Sequence, residues 1–265
     1  MQTRALFFDI DGTLVSFKTH RIPQSAVDDL RTAHDAGVKI FISTGRPVKF
    51  INNLSQISDL IDGYITTNGA YCFVGNVEVS LHYFLQEDVE RILNYCDRHD
   101  VTAMVVGMHS IAAYRLKPVI AEVFGKGLGL GDFHFDKLDD VLHEPILQIT
   151  PFLSPEQEAE LMPSLKAVNS GRWTDAFTDL THCDADKGKG LEAMAAYLNI
   201  SLEQTMAFGD GGNDVSILRK AGVGVAMGNA RDGVKAQADY VTTSVDDDGV
   251  RNALRHFGIV DCPTV

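Results

Sequence analysis

Residues 4–14, RALFFDIDGTL, restrict the possible folds more than any other stretch of the chain. Ala5 to Phe8 form an apolar run too short for a helix and suited to a buried strand. It stops abruptly at Asp9 and Asp11, followed by Gly12 and Thr13, so a strand feeds a turn loaded with charge. In an open α/β sheet the carboxyl ends of the strands border the crevice where ligands bind, and two acids at such an end read as chemistry. The competing reading is an Asp-Gly turn that closes a hairpin.

The order of the following elements supports the open sheet. Residues 13–22 are expected to form a small flap, and Pro23 opens a helix to about Ala36 with Ala26, Val27, Leu30 and Ala33 on one face. Val38 to Ile42 is a second buried strand ending in Ser43-Thr44-Gly45-Arg46, and Pro47 fits the first turn of a helix reaching about Ile57. A third strand, Tyr64 to Thr66, ends in Thr67-Asn68-Gly69-Ala70, and Gly75-Asn76 makes a turn between two short strands.

Between about Leu81 and Cys183 this alternation gives way to paired strands with single helices. Helices are expected at 87–99, near 118–124 and at 155–168, with strands at 102–106, 111–116 and 146–150 and two more between 172 and 182. That is the grammar of an α+β domain. GKGLGLG at 125–131 follows a helix and lacks Gly-Lys-Ser/Thr, so it reads as an irregular connector and not as a phosphate-cradling loop. From Asp184 the alternation returns, with helices at 187–198, 213–220, from 230 and at 249–257, and strands at 205–208, 223–226 and near 240. The expected fold class is α/β, a parallel sheet covered on both faces. Residues 1–80 and 184–265 would form this core, with 81–183 inserted as an α+β cap through two linkers that can act as hinges.

At 265 residues and 45% apolar content, the chain can bury a core in each of two domains. A formal charge of −13 and the lack of any basic run beyond a residue or two argue against nucleic acid and anionic membranes as partners. An anionic substrate stays compatible with this charge, because a bound divalent cation reverses the local field. Cys72, Cys96, Cys183 and Cys262 lie far apart with no C-x-x-C, which points to reduced thiols and to neither a zinc site nor a disulfide framework. The chain opens without a basic and apolar leader, and no segment reaches the roughly 18 apolar residues of a spanning helix. A soluble cytoplasmic protein is expected, in which the glycosylation patterns at Asn53 and Asn199 are chance.

The strand tips collect a consistent set of groups: Asp9 and Asp11, Thr44 from ISTGR at 42–46, Lys187 from DKGKGL at 186–191, and Asp210 and Asp214 from FGDGGND at 208–214. In order and spacing these four stretches resemble the haloacid dehalogenase (HAD) superfamily of phosphohydrolases. The chain is most similar to the Cof-type (type IIB) branch, whose large cap is inserted between the second and third motifs. The resemblance covers nearly the whole chain, although in the cap it is a pattern of elements without a residue motif.

The resemblance implies a Rossmann-like parallel-sheet core and a phosphatase of small phosphorylated metabolites, sugar phosphates by family analogy. It makes Asp9 the nucleophile that forms an aspartyl-phosphate and Asp11 the acid and base. It assigns Mg²⁺ to the Asp9 side chain, the Asp11 backbone carbonyl and the Asp210 side chain, and phosphate oxygens to Thr44 and Lys187. Gly45, Asn213 and Asp214 support the site: Asn213 caps the following helix or serves the site, and Asp214 orients Lys187 or binds a metal water. Gly211 and Gly212 would let the backbone pass close to the metal. Arg46, Asn68 and Gly69 are similar to family positions nearby. In the cap, Arg115, with His109 and His134, is a candidate for touching the leaving group, and Trp173 reads as packing. A phosphosugar mutase using the same intermediate and a catalytically silent binding protein are the rival functions. A monomer is favoured.

Overall fold

A strand buried at every residue has to lie inside a sheet covered on both faces, and β1 (Ala5–Phe8) is such a strand. The computed structural model describes residues 3–120, 122–123 and 133–261, within which the chain forms two compact units. The first takes in Met1–Gly45, Asn53–Leu81 and Asp186–Val265, and the second takes in Arg46–Asn52 and His82–Ala185. The expectations for GKGLGLG at 125–131, for Cys262 and for the Trp173 side chain lie outside the described residues.

In the first unit β1 is followed by α1 (Gln24–Asp35), β2 (Lys39–Ser43), β3 (Gly63–Thr66), β4 (Tyr71–Val74) and β5 (Val77–Leu81). The second unit holds α2 (Gln86–Arg98), β6 (Ala103–Gly107), β7 (Ile111–Tyr114), the short helices α3 (Pro118–Ile120) and α4 (Leu138–Val141), β8 (Ile146–Pro151), α5 (Pro155–Leu161), β9 (Val168–Thr174) and β10 (Phe177–His182). The chain returns to the first unit with α6 (Lys187–Tyr197), β11 (Thr205–Gly209), α7 (Val215–Lys220), β12 (Val223–Ala226), α8 (Asp232–Lys235), β13 (Tyr240–Val241) and α9 (Gly249–His256).

The first unit's sheet runs β13-β12-β11-β1-β2-β3-β4-β5, parallel from β13 to β3 and antiparallel beyond. Successive residues of β1 serve opposite faces. Ala5 and Phe7 join a cluster with Phe41, Leu191, Met194 and Ala207, which leaves the equally buried Leu6 and Phe8 to the other side. Phe7 stacks on Phe41 with 4.9 Å between ring centroids, and Phe8 on Phe208 with 4.6 Å. Each such burial stabilises by about 1.5–3 kcal/mol, so the strand that presents Asp9 is held on both faces. Register then fixes the edge: Phe8 stands level with Ile42 of β2 and Phe208 of β11. Asp9, Ser43 and Gly209 are therefore level at the carboxyl ends of three adjacent strands, with Thr44 and Asp210 one step beyond.

The second unit is built on a separate antiparallel sheet, in the order β7-β6-β8-β10-β9. Alternate residues of β6 again divide between two cores. Ala103 and Val105 pack with Val89 and Ile92 of α2, whereas Met104 and Val106 pack with Phe50, Ile111, Ile120 and Phe177. Phe50 comes from the segment that follows β2 directly, and its ring meets Phe133 edge-on with 4.8 Å between centroids. Lys49 beside it pairs with Asp136 at 2.7 Å. The helix expected over 47–57 is reduced to a 3₁₀ turn, Val48–Phe50, after which Ile51 is extended. Burial of Phe50 in the second unit outweighs the local preference for helix.

The helix expected over 155–168 is also shorter. It starts at a Ser154 cap answered by Gln157, ends at Leu161, and gives way to a 3₁₀ turn around Pro163, which has no N–H to continue the ladder. Among the described residues no helix is long and apolar enough to cross a membrane. The architecture is an α/β fold with a parallel core sheet and a separate antiparallel sheet inserted into it.

Candidate active site

Lys187 opens α6 behind an Asp186 cap, whose side chain accepts the Lys189 amide at 2.9 Å. This start turns Lys187 inward, where its side chain is fully buried and its ammonium donates to Asp9 Oδ1 at 2.7 Å and to Asp214 Oδ1 at 2.6 Å. The other Asp214 oxygen accepts the amides of Asp210 at 3.0 Å and Gly211 at 2.8 Å. Asp214 thus spends both oxygens on holding Lys187 and the loop after β11. Burial opposes the Lys187 charge, but Asp214 and Asp9 outweigh it and hold the ammonium above its ordinary range.

The acids outnumber this one cation. Burial drives the Asp9 carboxyl well above its usual value, Lys187 pulls the other way, and Asp214 and Asp210 add repulsion. Asp210 is pushed up to about 6, first by burial and then by Asp214, against a hydrogen bond from Thr13 and the charge of Lys187. Carboxylate oxygens of Asp9, Asp210 and Asp214 lie within 4.8 Å of one another. Asp9 and Asp210 are less deeply buried than Asp214, whose two oxygens hold Lys187 and the loop after β11. A hard, all-oxygen set with surplus negative charge suits a divalent cation of the Mg²⁺ or Ca²⁺ kind.

The remaining expected residues fall around this cluster as follows. Asp11 is half-buried and close enough for its charge to raise Asp210. Thr44 is buried, its amide donating to the Ile65 carbonyl at 2.8 Å and its carbonyl accepting the Asn68 amide at 3.0 Å. Gly45 has the Asn68 side chain against it, and Asn213 donates to Asn68 Oδ1 at 3.0 Å. Asn213 lies in the turn before α7, and its side chain is directed to Asn68 and not to a cap.

Thr67, Asn68 and Gly69 all have left-handed backbones, with φ of 52°, 55° and 94°, and a Cβ at Gly69 would strike the Asp186 carbonyl. Such strain, of order 1–3 kcal/mol per non-glycine residue, collects where a structure over-determines the chain. Here it lies where the turn after β3 meets the residue before α6.

Two residues in the second unit are committed locally. Arg46 donates to the Phe50 carbonyl at 2.7 Å, and Arg115 pairs with Asp97 at 3.1 Å and with Asp100.

Three positions had not been singled out from sequence as site residues. Thr13 Oγ1 donates to Asp210 Oδ1 at 2.9 Å. Asn229 donates to the Gly12 carbonyl at 2.9 Å and to Asp210 Oδ2 at 3.3 Å, while its own oxygen accepts the Val245 amide at 3.0 Å. Gly12 has φ of 86°, and a Cβ there would collide with the Asp210 carboxylate. A Cβ at Gly211 would meet Asn213 Oδ1 at 2.6 Å, whereas at Gly212 it would meet nothing within 4 Å. The signal for Asn229 was available, because it follows β12 at the same edge that supplies the other groups.

Residues 6–254 match the haloacid dehalogenase-like hydrolase family. The HAD subclass IIB sugar phosphatase BT4131 superposes with a TM-score of 0.90 at 46% identity, over 97% of this chain and 100% of its own. BT1666 from Bacteroides thetaiotaomicron, among the phosphatases of the haloalkanoate (HAD) superfamily, superposes with a TM-score of 0.87 at 32% identity, over 98% of this chain and 96% of its own. In sequence, the 5-amino-6-(5-phospho-D-ribitylamino)uracil phosphatase YcsE of Bacillus subtilis is 28% identical over 96% of this chain and 95% of its own. With acids and a buried lysine gathered at the sheet edge, the chain belongs to the haloacid dehalogenase-like hydrolases, in their Cof-type subclass IIB, and is a phosphatase of that family.

Proposed function

We propose that this phosphatase hydrolyses small phosphorylated metabolites, sugar phosphates first among them, with Mg²⁺ as cofactor and Asp9 as nucleophile. The observation that carries the reading is the fully buried Lys187 held between Asp9 and Asp214. Lys187 fixes the Asp9 carboxylate and keeps a positive charge beside it, where a phosphoryl group would arrive. The likeness to a sugar phosphatase at 46% identity supports the substrate class. Buried free Cys72 and Cys96 fit a reducing, cytoplasmic setting, and a monomer is the proposed state.

In this reading an Asp9 oxygen attacks phosphorus, and the ester P–O bond breaks as the acyl-phosphate bond forms. Asp11 gives its proton to the departing alkoxide, then takes one from the water that cleaves the acyl phosphate and restores the Asp9 carboxylate. Thr44 and Lys187 hold phosphate oxygens through both steps. Mg²⁺, held by the Asp9 and Asp210 side chains and the Asp11 carbonyl, would offset the charge of the transferring group. Thr13 and Asn229 orient Asp210, and Asp214 orients Lys187. Retention of both acids and the lysine argues against a silent binding protein.

Phosphate release from a panel of phosphorylated sugars, nucleotides and cofactors tests the reading. Turnover should centre on sugar phosphates in Mg²⁺ and vanish with a chelator. A flat panel with folded protein would favour the binding-protein alternative.

The acid cluster also ties stability to pH. A carboxyl raised in the folded state stabilises the fold below its unfolded value near 4 and loses that contribution as pH rises through the folded value, about 6 for Asp210. A cation at the cluster replaces the lost protons. Scanning calorimetry of chelator-treated protein should therefore show Mg²⁺ raising Tm more at about pH 7.5 than at about pH 5. Equal increments at the two pH values would remove Asp210 from the cation's ligands.

A further inference from the structure

Two stretches carry the chain into and out of the second unit, and each delivers a histidine to the same place. His82 follows β5 directly, and His182 closes β10. Antiparallel register explains why they meet. Leu180 and Thr181 of β10 stand opposite Ile149 and Gln148 of β8, and the same register carried on brings residue 183 opposite Ile146. The Ile146 carbonyl accepts the Phe84 amide at 2.9 Å, which pins the incoming linker. On the outgoing linker the Cys183 amide donates to the Ala167 carbonyl at 2.9 Å, and the Asn169 side chain donates to the Cys183 carbonyl at 3.1 Å. Held in this way, the two imidazoles lie nearly parallel, with 6.1 Å between centroids and 9° between planes. Asp184 completes the group: one ligand atom from each of His82, His182 and Asp184 lies within 4.8 Å of the other two.

We infer that His82, His182 and Asp184 bind a divalent transition cation of the Zn²⁺ class, which ties the two linkers to each other. Donor chemistry selects the ion. Two imidazoles and one carboxylate suit Zn²⁺, Ni²⁺ or Cu²⁺, whereas Mg²⁺ takes oxygen donors and keeps its waters. Three protein ligands leave the fourth tetrahedral position to water. Bonds of about 2.0–2.1 Å place tetrahedral ligands about 3.3 Å apart, so the side chains draw in by roughly 1 Å on binding. Asp184, with a side chain 53% exposed, has the room to do so. His182 Nδ1 accepts the Asp184 amide at 3.1 Å and lies 3.9 Å from its carboxylate, so a cation at this nitrogen exchanges the amide contact for its own bond. None of the three residues belongs to the acid cluster around Asp9.

Titration calorimetry of the full chain with Zn²⁺, in excess Mg²⁺ to occupy the acid cluster, should give one equivalent with a Kd of micromolar order or tighter. Affinity should fall by at least about tenfold in His82→Ala and again in His182→Ala. X-ray absorption at the zinc edge of the loaded wild type, which depends on no variant folding, should show two imidazole ligands. A zinc shell made of oxygen alone, affinity unchanged in both variants, or no zinc binding by the wild type would each overturn the proposal.

Discussion

Asp9→Asn is expected to lower turnover to background, a loss of at least about 10³-fold, because the amide keeps the size of the side chain but cannot attack phosphorus. Asp11→Asn should behave differently. Asp9 can still attack, yet the second step has lost its base, so the phosphoenzyme should outlive that of the wild type. The contrast is largest with an aryl phosphate, whose leaving group departs with little protonation and whose first step therefore suffers less than its second. Acid-quenched mass spectrometry should find the phosphoryl mass on the peptide containing residue 9 in Asp11→Asn and on no peptide in Asp9→Asn. Phosphate on a histidine, or wild-type turnover in Asp9→Asn, would remove the aspartyl-phosphate from the mechanism. Transfer to a second sugar phosphate in preference to water would make the protein a mutase.

The local parts of this fold were legible because their causes are local. Ala5 to Phe8 read as a buried strand because four apolar residues in a row are too short for a helix and suit a strand covered on both faces. The early end of α5 was missed, with the helix expected to run on to 168, although Pro163 cannot donate to the helix ladder. Residues 46–52 were not legible. Pro47 suits the first turn of a helix, and what draws Phe50 into the second unit instead is Met104, Val106 and Phe177, all more than 50 positions away. Distance also hid the partnership of Thr13 with Asp210, which spans 197 residues. His82 and His182 sit on no common motif, and only the register of β8 with β10 brings them together.

Lys187→Met should unfold the protein more readily and abolish turnover, and the two losses can be separated. The substitution roughly keeps the volume of a side chain that is fully buried, but it leaves Asp9 and Asp214 without the ammonium that both contact. Removing one partner of a buried pair costs about 3–5 kcal/mol, most of it from the charge left behind. Without the lysine the Asp9 carboxyl is raised further, because the charge that pulls it down is gone. By linkage it favours the folded protein while protonated, so the destabilisation should be marked at neutral pH and shrink as the solution is acidified. Adding Asp214→Asn removes one of the stranded charges, and the double variant should recover part of the lost stability, a coupling readable from a denaturation cycle. Turnover should stay at least about 10²-fold below wild type in the double variant, since the ammonium that would hold a phosphate oxygen is then missing. Stability regained without activity assigns Lys187 to the substrate. If activity returned with stability, the role of Lys187 would reduce to holding Asp214 and the loop after β11 in place.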